Sequence, residues 1–173
     1  MTVADFPRLQ TARLTLRLPQ ASDFDTWATC MASDRSRFIG GPVERAFAWR
    51  SFCHLGGHWM MRGYGMFIFA DPETDAPYGM TGPWFPEGWP EQEIGWTVWD
   101  AAIEGKGYAL EAASAARAWA YGSLGWQTAI SLIDPGNDRS IALAHRMGAA
   151  YEGDYTHVQY GLMQVWRHPG VVA

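Results

Sequence analysis

Glu104-Gly105-Lys106-Gly107-Tyr108-Ala109 joins a strand-like run, Glu93 to Trp99, to an alanine-rich helical run, Gly107 to Leu124. A further strand-like run, Gln127 to Ile133, follows. Strand, helix and strand in this order form a crossover, and such crossovers are right-handed with their two strands parallel. The glycine turn opens a helix, so it presents free backbone N–H groups at the positive end of a helix dipole. That arrangement suits an anion, and a phosphate-bearing ligand is the first hypothesis. The turn holds the only lysine in the chain; the other twelve basic side chains are arginine. A tight turn in which glycine merely relieves backbone strain fits the same residues. Neither common nucleotide fingerprint is matched: there is no G-x-x-x-x-G-K-[ST], and non-glycine residues occupy the later positions of G-x-G-x-x-G.

Upstream, Arg13 to Leu18 alternates strictly and predicts a strand with Leu14, Leu16 and Leu18 inward. Ser22 is placed to cap a helix through about Met31, with Asp23 and Asp25 in its first turn. Val43 to Arg62 reads as a second helix, bent or broken at Gly56-Gly57. Tyr64 to Ala70 and Tyr78 to Trp84 read as a hairpin across the turn Asp71 to Asp75. A proline-punctuated loop then carries Trp84, Phe85 and Trp89. Downstream, Asp134 to Asp138 turns into a short helix, Arg139 to Met147, stopped by Gly148. Tyr151 to Arg167 reads as two strands around Gly161. The order β-α-α-β-β-β-α-β-α-β-β implies an α/β mixed sheet with helices on its faces.

The 173 residues suit one domain spanning 1–173. The apolar fraction is 48%, and the aromatic fraction, with ten tryptophans, reaches 14%. Such rings fill a core, form a homodimer face or line a ligand cleft. Net charge is −5 with no basic tract, which argues against nucleic acid. No run approaches the ~20 apolar residues of a membrane helix, so no membrane partner is expected. The start of the chain is polar and lacks a signal-peptide pattern. Cys30 and Cys53 read as buried, reduced thiols, giving a cytoplasmic expectation.

Glu93 opens an apolar strand. A partly desolvated carboxylate there has a raised pKa and suits a general base for an ammonium nucleophile. A strand-end carboxylate facing water fits the same position. Asn137 and Ser140 stand at a helix start and fit capping. His54 and His58 have i, i+4 spacing, but glycines intervene and no third ligand is evident, so no metal is expected. Neither cysteine has triad spacing and no G-x-S-x-G elbow exists.

Taken together, Thr11 to Arg17 with Ser22-Asp23, Glu93-Ile94-Gly95-Trp96, Gly105-Lys106-Gly107-Tyr108-Ala109-x-Glu111-Ala112, and Asn137-Asp138-Arg139-Ser140 with Arg146-Met147-Gly148-Ala149 resemble the GNAT acetyltransferases. More narrowly they resemble the ribosomal-protein-alanine (RimJ/RimL-like) branch. The resemblance covers Leu9 to Arg167. It implies the GNAT fold: one mixed, mostly antiparallel sheet with splayed central parallel strands and helices on both faces. It implies acetyl transfer from acetyl-CoA to a primary amine of a protein N-terminus or a small molecule. Glu104, Gly105, Lys106, Gly107, Tyr108 and Ala109 would bind the CoA pyrophosphate through backbone N–H groups. Trp96, Thr97 and Val98 would face the pantetheine arm, and Asn137 and Ser140 would contact it. Glu93 would be the base, acting through water. The amine pocket would lie between Val43–Arg62 and the Trp84–Trp89 loop, whose tryptophans suggest a ring-bearing or apolar group beside the amine. His145 and Tyr155 are secondary candidates.

The chain departs from the family pattern at Glu104, where Gln or Arg is usual. It departs again at Ala144, where many relatives carry an acid tyrosine, and at Ala149, where phenylalanine is usual. Two other readings compete: a non-catalytic acyl-CoA-binding sensor, and a protein-interaction domain that uses its tryptophans as an interface.

Overall fold

The computed structural model describes residues 6–171, so the reading of a polar chain start falls largely outside the described residues. Its elements are β1 (Leu9–Gln10), β2 (Thr15–Arg17), α1 (Phe24–Met31), α2 (Arg45–Arg62), β3 (Phe67–Ala70), β4 (Pro77–Trp84), β5 (Glu93–Val98), α3 (Tyr108–Ser123), β6 (Ile130–Ile133), α4 (Asp138–Arg146), β7 (Ala150–His157) and β8 (Gly161–Arg167). One sheet runs in the order β1-β2-β3-β4-β5-β6-β8-β7. Every neighbouring pair is antiparallel except β5 and β6, which are parallel and joined through α3. The expected α/β fold with a central parallel pair is the one observed.

Helices cover both faces, which explains why β3 is apolar throughout. Ile68 points with Met80 and Trp84 toward α1 and α2. Phe67 and Phe69 point with Leu14 and Leu16 toward Ala112 and Ala116 of α3. The alanines leave no side-chain bulk between α3 and the sheet, so the helix start is drawn close to the end of β5.

Four local expectations are corrected. Helix α2 is unbroken through Gly56-Gly57. Two helical glycines cost about 2 kcal/mol, whereas burying Phe52, Leu55 and Trp59 on the same helix returns about 1.5–3 kcal/mol each. Ser22 does not cap α1. A single 3-10 turn, Ala21–Asp23, precedes the helix, and the Asp23 carboxylate accepts the Gln20 N–H at 2.8 Å. On β2 both faces are buried, not only the leucine face: Thr15 and Arg17 are buried too, and Leu18 is half-buried. Arg17 is held by a two-pronged pair with Asp23, at 2.8 Å for each arm, and by Asp75 at 2.8 Å. Cys30 is buried as expected, but Cys53 lies on the solvent side of α2 and is exposed.

Candidate active site

The parallel ladder between β5 and β6 opens after one step. Glu93 pairs with Ile130, and the Ile130 N–H donates to the Gln92 carbonyl at 2.9 Å. Continued parallel pairing would send the Leu132 N–H to the Ile94 carbonyl. Instead the Ser131 hydroxyl donates to that carbonyl at 2.6 Å, and the Leu132 N–H donates to Glu93 Oε1 at 3.1 Å. The strands part from here on.

A buried chain of polar groups braces the parting. Ser131 Oγ, whose hydrogen is committed to Ile94, lies 2.9 Å from His168 Nε2, so the imidazole donates to it. His168 Nδ1 is then the acceptor for Arg117 Nη1, at 3.1 Å. Arg117 also donates to the Met147 carbonyl at 2.7 Å. Burial, with Arg117 and Arg167 nearby, pushes the His168 imidazole down to about 4 and keeps it neutral.

Strand parity decides which β5 groups face the gap. The Trp99 N–H donates to Tyr78 at the β4 side, whereas the Ile94 carbonyl faces β6. The backbone of Trp96 and Val98 therefore faces the gap, and that of Thr97 faces Met80 on β4. The Val98 carbonyl is taken by Arg35 Nη2 at 3.0 Å.

At the apex of the opening sits Glu93, 6% exposed. Burial pushes its carboxyl up to about 7, although hydrogen bonds from the Trp89 indole and the Leu132 amide both pull it down. Gly95 keeps this corner clear: a Cβ there would lie 2.3 Å from Met66 Cε. Glu93 lines a cavity of about 300 Å³ that reaches from Trp96, Thr97, Asn137 and Ser140 to His54, Trp84, Trp89 and Tyr160. Helix α2, through Ser51, His54 and Leu55, and the Trp84–Trp89 loop contribute to its walls. A more open depression, about 510 Å³, lies between Tyr64, Gln92 and the Leu124–Thr128 segment; among the described residues no carboxylate, imidazole or cation lines it.

The glycine turn has Gly105 at φ +72° and Gly107 at φ +82°, left-handed backbone that favours glycine. Tyr108, Ala109 and Leu110 begin α3 and have no preceding carbonyl in the helix for their N–H groups. Lys106 is exposed, and its carbonyl accepts from Arg13 at 3.0 Å. Arg13 stacks on Tyr108 with its guanidinium carbon 4.2 Å from the ring centre and pairs with Glu111 at 2.7 Å. Glu111 thus ties the helix start to the segment before β2. The Glu104 carboxylate lies between two cations, Arg35 at 2.5 Å and Arg139 at 2.8 Å. Its charge is already compensated beside the turn.

Asn137 caps α4 by accepting the Ser140 N–H at 3.2 Å, and Ser140 Oγ accepts from the Trp96 indole at 3.1 Å. Both residues therefore line the cavity and also bridge α4 to β5. His145 is exposed against Trp166, and Tyr155 sits on β7; neither lines the cavity. Sequence reading missed Arg35, His157 and Tyr160, weighed His54 only as a metal ligand, and quoted Arg139 within a motif without a role at the site. Arg35, His157 and Tyr160 lie in no motif; only the fold brings them to the site. Among the described residues no group of three or more His, Cys, Asp or Glu is placed to hold a metal ion, and no helix is long and apolar enough to cross a membrane.

The family model described as "Acetyltransferase (GNAT) domain" matches residues 13–150. An acetyltransferase from Agrobacterium tumefaciens is 35% identical, with a TM-score of 0.86 over 95% of each chain. A ribosomal-protein-alanine acetyltransferase from Vibrio fischeri is 16% identical, with a TM-score of 0.69 over 95% of this chain and 97% of that one. An aminoglycoside acetyltransferase in complex with coenzyme A is 17% identical, with a TM-score of 0.74 over 90% of this chain and 94% of that one. The last two likenesses concern the fold alone.

Proposed function

The chain belongs to the GNAT acetyltransferase family, and from that premise we propose that this acetyl-CoA-dependent enzyme acetylates a primary amine, on a protein N-terminus or a small molecule, with Glu93 as base. The observation that carries the proposal is a buried carboxylate, pushed up to about 7, at the apex of two parallel strands that part into a cavity.

The residues present fit acetyl-CoA. The amides at the start of α3, presented by the turn Glu104–Ala109, suit its diphosphate, and Lys106 and Arg139 stand nearby as exposed cations. The backbone edge of Trp96 and Val98 suits the amide-bearing pantetheine arm, with the Thr97 side chain, Asn137 and Ser140 on the walls of the same cavity. Bound there, acetyl-CoA supplies an activated acyl group.

The chain's own part is to desolvate, orient and deprotonate. An ammonium entering the cavity meets the ionised Glu93 and transfers a proton to it, directly or through water. The neutral amine then has a free electron pair for the acyl carbon. A β5 N–H on the gap side, at Trp96 or Val98, polarises the acyl oxygen. As the new C–N bond forms and the C–S bond breaks, CoA leaves as its thiolate; the second proton shed by nitrogen passes through water to that sulfur, while Glu93 keeps the proton taken from the ammonium. Proximity in a dry cavity contributes most of the remaining acceleration. The sensor reading draws on Glu104 and on the tyrosine missing at Ala144; the pairing of Glu104 with Arg35 and Arg139 weakens the first motive.

The test is Glu93→Gln assayed by CoA release against an amine panel. A lost general base lowers kcat by ~10²–10⁴-fold, while acetyl-CoA affinity, read by thermal shift, stays unchanged. In the parent, kcat/KM rises with pH through about 7 as the carboxyl ionises, and this limb disappears in the variant. Full activity in Glu93→Gln refutes the base assignment.

A further inference from the structure

Aromatic rings converge on Glu93 from three separate parts of the chain. Trp84 ends β4, Trp89 comes from the loop before β5, and His157 and Tyr160 come from the end of β7 and the turn after it. The Trp89 ring centre lies 4.6 Å from His157, 6.1 Å from Tyr160 and 6.5 Å from Trp84.

This wall is fixed before any ligand arrives. His58 stacks on Trp84 at 4.4 Å, and its two ring nitrogens engage the Tyr64 carbonyl at 2.7 Å and the Phe85 N–H at 3.1 Å. His157 Nδ1 accepts the N–H groups of Gln159 and Tyr160 at 3.1 and 3.3 Å, which sets the turn that aims Tyr160 at the cavity. The Trp89 indole N–H is bonded to Glu93 itself.

The charge on the cavity wall is equally selective. Among the described residues no lysine or arginine lines it, and its only acidic side chains are Glu93 and Asp134. Asp134 belongs instead to the turn that leads from β6 into α4, where its Oδ1 accepts the Gly136 N–H at 2.7 Å. At the aromatic end there is therefore one carboxylate for one cation. A second ammonium would be desolvated without a partner, which is strongly unfavourable. A single ammonium gains from both the carboxylate and the ring faces, and Leu55, Met66, Met80 and Met163 add apolar surface to the same wall.

We infer that the acceptor is a monoamine carried on a compact, ring-bearing apolar body, seated against Trp89 and Tyr160 with its amino group at Glu93. The inference rests on the acetyltransferase reading above and names its substrate class.

The test compares kcat/KM by CoA release for phenethylamine and tryptamine, spermidine, kanamycin and a peptide with N-terminal alanine. The arylalkylamines exceed spermidine and kanamycin by about tenfold or more, and also exceed the peptide. Tyr160→Ala raises KM for phenethylamine by about tenfold and leaves KM for acetyl-CoA unchanged, and Tyr160→Phe restores the parent value. A preference for spermidine, kanamycin or the peptide overturns the substrate class while leaving acetyl transfer intact. Loss of kcat in Tyr160→Phe for every amine makes this residue a proton donor and overturns its place as a wall. Acetylation of none of these amines rejects the inference and the acetyltransferase reading together.

Discussion

Asp23 shows how much one side chain can hold. Its carboxylate accepts both arms of Arg17, which is 3% exposed, and also the Gln20 N–H, so it links β2 to the turn before α1. Removing one partner of such a pair strands a buried charge and costs about 3–5 kcal/mol. Asp75 still touches Arg17, so Asp23→Ala is expected at the lower end, near 3 kcal/mol, by urea denaturation. A loss below about 0.5 kcal/mol means that Asp75 alone satisfies the guanidinium. The alternation of Arg13 to Leu18 placed Leu14 and Leu16 correctly but said nothing of this pair. A charged residue in a strand reads as solvent-facing until a second helix layer is known to cover it. Glu93 is the opposite case: its desolvation could be argued from the apolar strand around it, whereas Trp89 and Leu132 as hydrogen-bond partners could not.

Among the elements, β6 carries the most specific device. Ser131 occupies the Ile94 carbonyl that would otherwise take the Leu132 N–H, and that amide is thereby left for Glu93. Ser131→Ala frees the carbonyl and lets the two strands pair one step further. Acetyl-CoA KM then rises about fivefold, the value of one ordinary hydrogen bond. Losing the Leu132 amide moves the Glu93-controlled limb of kcat/KM to higher pH, since that amide favours the ionised form. Ser131→Thr restores both. A lowered melting temperature with an unmoved pH limb argues that Ser131 is structural only. The β5–α3–β6 crossover itself was legible, because glycine turn, alanine helix and flanking strands agree with one another. The break foreseen in α2 was not observed, since local glycine propensity is outweighed by the side chains that the helix buries.

For the whole molecule, two buried groups titrate in opposite senses. Glu93, raised from 4.5 to about 7, binds its proton more tightly in the folded state, so its contribution is full below pH 4.5 and is lost as pH rises through about 7. His168, lowered from 6.5 to about 4, contributes fully above pH 6.5, and this is lost as pH falls through about 4. Each displacement corresponds to about 3 kcal/mol, and the windows nearly coincide. The two contributions therefore offset each other in the parent between about pH 4.5 and 6.5. Glu93→Gln removes the falling contribution and leaves a stability that climbs with pH across that interval, measurable by denaturation from pH 4 to 8. A flat profile in the variant contradicts the burial assigned to His168. The sequence by itself determined the order of elements, the parallel pair, the glycine turn and the carboxylate that opens β5, because each is written in local spacing and in the backbone freedom of glycine. Only the tertiary structure decided what surrounds that carboxylate. Arg35 with Arg139, the His168 brace and the Trp89–Tyr160 wall join residues far apart in the chain, and such contacts exist only once the sheet has closed its two helical layers around them.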